Sequence, residues 1–183
     1  MTEIRPLRAE ELEPFLRLLC QVFEVNFDFA NSVFINDPMF DLARLWGLFE
    51  QGTMVSCLTT RPLEFGWGRA VGIAGVATLP ERQREGRAGQ LMERVLRENE
   101  RAGEGPALLF AHRTELYEKL GFERLDRVVR ATVRRTTADA PPAAVSAVKA
   151  RYDAWAARSP ERLRRDDRRW AYWQWRSRTT VAA

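Results

Sequence analysis

An apolar run from Ile73 to Leu79 stops at Pro80, a polar loop carrying Gly86 and Gly89 follows, and an amphipathic helix begins at Arg87. No other stretch of the chain restricts its fold as much. A strand that passes into a helix through such a loop leaves the N–H groups of the first helical turn without partners. The helix dipole adds partial positive charge at the same place. Phosphate binds at sites of this kind, and the strand ahead of the loop holds whatever the phosphate is attached to. The segment therefore calls for a phosphorylated cofactor.

The surrounding pattern alternates strands and helices. Glu3 to Leu7 reads as a first strand. Leu12, Phe15, Leu16, Leu19 and Phe23 then repeat at helical spacing and predict one buried stripe, with Pro14 in the first turn. Residues 26–40 have no clean period, and a second short helix there is left open. Leu45–Glu50 and Thr53–Arg61 are predicted to form a hairpin across Gln51-Gly52, and Phe65-Gly66-Trp67-Gly68 is predicted to be a second turn. Arg69–Leu79 is expected to be the longest strand, apolar on both faces through Val71, Ile73, Ala74, Val76 and Ala77, as in mid-sheet.

The helix from Arg87 to about Ala102 shows Leu91, Met92, Val95 and Leu96 on one side. A short buried strand is expected at Ala107–Ala111. A helix capped by Thr114 should run to Lys119 and end at Gly121, with Phe122 re-entering the sheet. Val128–Val133 reads as a last strand and Thr136–Pro142 as a linker, followed by helices from Ala143 to Ala157 and beyond Pro160. The fold class is α/β (α+β): a mixed, mostly antiparallel sheet flanked by helices, with a C-terminal helical extension. The division is 1–135 for the cofactor domain, 136–142 for the linker and 143–183 for the basic, Trp-rich extension.

At 183 residues the chain suits one domain with extra length. No apolar run approaches the roughly 18 residues of a membrane span. Met1-Thr2-Glu3-Ile4-Arg5 lacks a basic region followed by an apolar core, so a cytoplasmic protein is expected. Cys20 and Cys57 are too few for a metal knuckle or a disulfide framework, and no metal is expected. The net charge of +4 is uneven: residues 149–183 carry +6, and residues 1–148 carry −2. The basic character thus belongs to the tail.

Gln83-Arg84-Glu85-Gly86-Arg87-Ala88 resembles the Q/R-x-x-G-x-G/A signature of the GNAT acyltransferases. Tyr117-Glu118-Lys119-Leu120-Gly121-Phe122 resembles the Tyr-x-x-x-Gly-Phe segment of the same fold, in the right order and spacing. The resemblance covers roughly residues 1–135 and implies acetyl-CoA as cofactor. Its pyrophosphate would lie on the amides around Gln83, Arg84, Glu85, Gly86, Arg87, Ala88 and Gly89, where small residues let a phosphate approach the main chain. Arg82, Arg84 and Arg87 would add charge, partly offset by Glu85. The pantetheine arm would pair with Val76, Ala77 and Thr78, one of whose N–H groups would polarise the thioester carbonyl. Tyr117 would give a proton to the departing thiolate. The implied reaction is acetyl transfer to a primary amine of a small molecule or peptide. A non-catalytic acyl-CoA sensor or assembly subunit is the alternative.

Asp28, Asp37 and Glu64 are candidates to assist amine deprotonation, and His112 is the only histidine. Phe27, Phe29, Phe34 and Trp46 are expected to wall the acceptor side. Tyr152-Asp153-Ala154-Trp155-Ala156-Ala157-Arg158-Ser159-Pro160, with Arg164-Arg165-Asp166 and Arg169-Trp170, resembles the segment after the first domain of Eis-like (enhanced intracellular survival) acetyltransferases. This chain ends where their second domain would begin. Trp170, Tyr172, Trp173 and Trp175 lie among Arg168, Arg169, Arg176 and Arg178. Such a mixture suits packing or a dimer contact, and less well single-stranded nucleic acid or an anionic membrane surface. Homo-oligomerisation through these helices is the expected partner contact.

Overall fold

The computed structural model describes residues 2–127 and 144–180, with side chains up to residue 175. Five strands form one sheet: β1 (Thr2–Pro6), β2 (Leu45–Glu50), β3 (Thr53–Phe65), β4 (Gly68–Thr78) and β5 (Ala107–Leu109). They lie in the order β1-β2-β3-β4-β5. All pairs are antiparallel except β4 with β5, which is parallel because a helix crosses between them. Gln51 (φ 50°) and Gly52 (φ 81°) make the two-residue β2–β3 turn, both in the left-handed region that a type I′ hairpin needs.

Helices α1 (Leu12–Phe23) and α2 (Phe27–Asn36) cover one face of the sheet, and α3 (Arg87–Arg101) covers the other. The open segment before residue 40 does hold a helix, started by Asn26, whose Oδ1 accepts from Phe29 N at 3.0 Å. Phe15, Leu16 and Leu18 of α1 pack with Leu45, Met54, Cys57 and Ala77. The predicted stripe differs at its end: Phe23 is 51% exposed, because the helix stops at Glu24 in a left-handed cap beyond the sheet. On the other face Leu91, Met92 and Val95 are fully buried against Leu48, Val55, Leu58 and Ile73. Burying each such side chain stabilises the fold by about 1.5–3 kcal/mol.

Five further expectations are corrected. The longest strand is β3, which runs on through Pro62 to Phe65, and Ala74 of β4 is exposed. Strand β5 spans three half-buried residues, and Phe110 beyond it is 91% exposed. Thr114 precedes α4 (Glu115–Glu118) but makes no side-chain cap bond, since its own backbone is already helical (φ −96°, ψ −18°). Phe122 packs beside Tyr117 without rejoining the sheet. The predicted strand Val128–Val133 and linker Thr136–Pro142 lie outside the described residues.

The extension forms α5 (Val145–Ala156) and α6 (Asp167–Thr180). It is fastened to the β3–β4 hairpin: Gly66 N–H donates to Pro160 C=O at 2.8 Å, and Arg164 N–H to Glu64 C=O at 2.7 Å. Trp170 is 3% exposed, edge-on to Tyr152 and Trp173, with the Arg165 guanidinium over its ring. Arg168 donates to the carbonyls of Pro38 and Phe40, and Arg169 to that of Pro62. These two arginines therefore bind the extension to the rest of the chain, and Trp170 packs α6 against α5 within it. Among the described residues no helix is long and apolar enough to cross a membrane.

Candidate active site

The register of β3 against β4 slips between Cys57 and Thr59: β3 advances from 57 to 59 while β4 retreats from 77 to 74. The additional residue lies on β4 at Gly75, whose φ of +61° is the left-handed geometry of a glycine bulge. Leu19 of α1 comes so close that a Cβ on Gly75 would sit 3.3 Å from its Cδ2. Before the bulge, Val71–Ile73 pair with Ala107–Leu109. After it, Val76–Thr78 have no strand on that side among the described residues. Leu79 N–H donates to Val55 C=O and Ala77 lies opposite Cys57, so alternation turns the Thr78 main chain to the open edge. This edge is where an extended ligand would add as a strand.

The loop after β4 is held from several sides. Pro80–Arg82 form one 3-10 turn, and Gln83 Nε2 donates to the Thr78 carbonyl at 3.2 Å. Arg84 (φ 66°) and Gly86 (φ 78°) both adopt left-handed backbone, which turns successive N–H groups toward one concavity. Gly86 precedes α3 without any side-chain cap, and the first intrahelical bond is Gln90 N–H to Gly86 C=O at 3.0 Å. The N–H groups of Arg87, Ala88 and Gly89 come before it. A Cβ on Gly86 or Gly89 would meet no heavy atom within 4 Å, so open space lies over these amides. The cradle fits a diphosphate and the adjoining edge fits an extended arm, as acetyl-CoA requires.

The arginines do less for charge than expected. Arg82 Nη2 lies 2.5 Å from Glu50 Oε2 and 3.0 Å from Glu85, and Arg87 Nε lies 2.7 Å from Glu50 Oε1. Glu85, exposed beside Arg82 and Arg87, is held below the usual carboxylate range, chiefly by its hydrogen bond from Arg82. Arg84 has no ion-pair partner among the described residues. Sequence reasoning missed Glu50, which belongs to a different hairpin.

Tyr117 stands on α4, half-buried and edge-on to Phe122 at 5.9 Å between centroids. It packs on the same apolar cluster as Val76 and Leu109. Burial raises its pKa above the ordinary 10, so the phenol keeps its proton at neutral pH. Tyr117 and the β4 edge thus share one side of the sheet. His112 lies exposed in the connection from β5 to α4.

Other candidates separate. Asp37 is spent on structure: Oδ1 accepts from Met39 N at 2.7 Å and Oδ2 from Arg61, and the side chain is 7% exposed. It has no room to serve as a base. Asp28 and Glu64 are exposed. The expected aromatic wall does not form. Phe27 and Phe34 pack on the α1 side and Trp46 on the α3 side of the sheet, and Phe29 is 60% exposed.

A family model described as "Acetyltransferase (GNAT) domain" matches residues 3–125. No curated protein matches the sequence. Among solved structures, a GNAT family acetyltransferase from Brucella melitensis in complex with acetyl-CoA is 22% identical, with a TM-score of 0.58 over 68% of this chain and 84% of its own. A GCN5-related N-acetyltransferase from Anabaena variabilis is 20% identical, with a TM-score of 0.58 over 65% of this chain and 31% of its own. Eis1 from Mycobacterium abscessus is 19% identical, with a TM-score of 0.68 over 100% of this chain and 49% of its own. This chain thus spans about a third of the Anabaena protein and about half of Eis1, and the likeness to Eis1 includes the extension.

Proposed function

Because this chain belongs to the GNAT acetyltransferase family, we propose that it moves the acetyl group of acetyl-CoA to a primary amine of a small molecule or peptide. The observation that carries this reading is the continuity of two features. A main-chain edge at Val76–Thr78, without a strand partner among the described residues, leads through the loop of residues 79–86 to the open amides of Arg87–Gly89. Acetyl-CoA supplies the thioester, whose carbonyl carbon gains a bond to the amine nitrogen and loses its bond to sulfur.

The chain's own residues divide the remaining work. The amides from Gly86 to Gly89 receive the diphosphate, with Arg84 adding its charge. Gln83 keeps the loop on the end of β4 through the Thr78 carbonyl. Val76, Ala77 and Thr78 align the arm and present an N–H toward the developing oxyanion. Tyr117 Oη, protonated at neutral pH, gives its proton to the departing thiolate, and the proton that the attacking nitrogen releases restores the phenol through solvent.

Thiol release from acetyl-CoA across a panel of primary amines tests the reading. Tyr117→Phe should lower kcat by about a hundredfold while coenzyme A still binds with wild-type heat. Binding without turnover on any amine would favour the non-catalytic alternative. Absence of coenzyme A binding to the wild-type chain would end both.

A further inference from the structure

We propose that Glu50 is the positioning residue of the phosphate cradle, reaching from the β2–β3 hairpin to clamp the two arginines that bracket the loop. The inference rests on the acetyl-CoA reading above. Arg82 and Arg87 stand on either side of residues 83–86, the segment whose left-handed turns aim the amides. One carboxylate meets both guanidinium groups, at 2.5 Å and 2.7 Å. Glu50 itself is fixed, being the last residue of β2 before the tight Gln51-Gly52 turn.

Burial decides between a clamp and a pair of phosphate ligands. The side chains of Glu50, Arg87 and Arg82 are 18%, 22% and 29% exposed, and Arg87 Nε is fully buried, facing Glu50 but out of line for a hydrogen bond. A partly buried guanidinium held against a carboxylate turns outward to an anion only by giving up that ion pair. The hollow of about 610 Å³ beside this cluster carries Glu50 and Glu81 along with the two arginines, so it offers an anion no surplus of positive charge. The cradle then reads a diphosphate through its main chain, and the ion pairs beneath it hold the shape of that main chain. A preformed loop binds without ordering costs.

The test compares wild type with Glu50→Gln by calorimetric titration of coenzyme A, and by turnover with acetyl-CoA and with S-acetylpantetheine, which lacks the diphosphate. Glu50→Gln should raise the Kd for coenzyme A and the KM for acetyl-CoA about tenfold, with kcat unchanged. Turnover of S-acetylpantetheine should stay at the wild-type level. In an Arg82→Met/Arg87→Met background, Glu50→Gln should have no further effect on the Kd. Unchanged or tighter coenzyme A binding in Glu50→Gln would overturn the clamp, because it would mean that Glu50 merely competes for phosphate-binding arginines. An equal loss with S-acetylpantetheine would overturn it too. Failure of the wild-type chain to bind coenzyme A is a different result and strikes the function itself.

Discussion

Gly66 and Pro160 are locked together: the glycine N–H donates to the proline carbonyl at 2.8 Å, and a Cβ on Gly66 would lie 2.7 Å from Pro160 Cα. The Arg164 guanidinium, 2.8 Å from the same Cβ position, could swing aside, but the Pro160 main chain could not. Gly66→Ala should therefore loosen the extension from the hairpin. Limited proteolysis would show faster cleavage around residue 160 than in wild type, while coenzyme A binding at the far end of β4 remains. Equal cleavage rates in the two proteins would contradict this contact.

Trp170 should matter to the extension as a whole. Its ring fills the space among Tyr152, Trp173 and Arg165, and truncation leaves a cavity. Trp170→Ala is expected to cost about 3–5 kcal/mol. Denaturant unfolding followed by tryptophan fluorescence would register it as an earlier transition.

Stability should fall in acid because of Glu104. Its carboxylate, 1% exposed, lies between Arg44 (2.5 and 2.8 Å) and Arg69 (2.6 Å), joining the start of β2, the start of β4 and the end of α3. The Arg44 hydrogen bond is the main cause of a pKa held below the ordinary 4.5. A depressed carboxylate pKa contributes stability that is fully present above the unfolded value and is lost as pH falls through the folded one. Glu11 behaves likewise, lowered chiefly by its hydrogen bond from Arg5. The Tm should therefore hold steady above about pH 5 and drop below about pH 4. Glu104→Gln should lose about 3 kcal/mol at neutral pH and show a flatter acid limb.

Gly89 separates stability from binding. Gln is a better helix former than Gly by up to about 1 kcal/mol, and a Cβ at Gly89 meets nothing within 4 Å. Gly89→Gln should leave the Tm of the free protein equal or higher. The same side chain would occupy the space over the amides, so the Kd for coenzyme A should rise more than about tenfold. A higher Tm together with undiminished binding would place the diphosphate elsewhere.

Elements governed by local spacing are legible in the amino-acid sequence. The bounds of β2 match because apolar residues and a Gln-Gly turn delimit it, and α3 matches because Leu91, Met92 and Val95 share one face. The loop glycines and Tyr117 stand out because neighbouring residues carry their chemistry. Gly75 is not legible: one glycine inside an apolar run reads as strand, and only pairing with Cys57 and Thr59 exposes the additional residue. Glu50 is hidden because its partner Arg82 lies 32 residues on. Asp37 looks free for the converse reason, since Arg61 comes from another element. The aromatic wall fails because composition does not say which side of a sheet a residue faces.

Strand β4 runs from the hairpin that grips the extension to the amides that would grip the cofactor. Its eleven residues set those two ends roughly 30 Å apart. A bulky label attached at the Gly66–Pro160 contact would stand that far from the loop amides. Whatever docks on the helical extension would therefore act on turnover at a distance, along the β4 ribbon kinked at Gly75 or through the segment 38–40 that Arg168 holds.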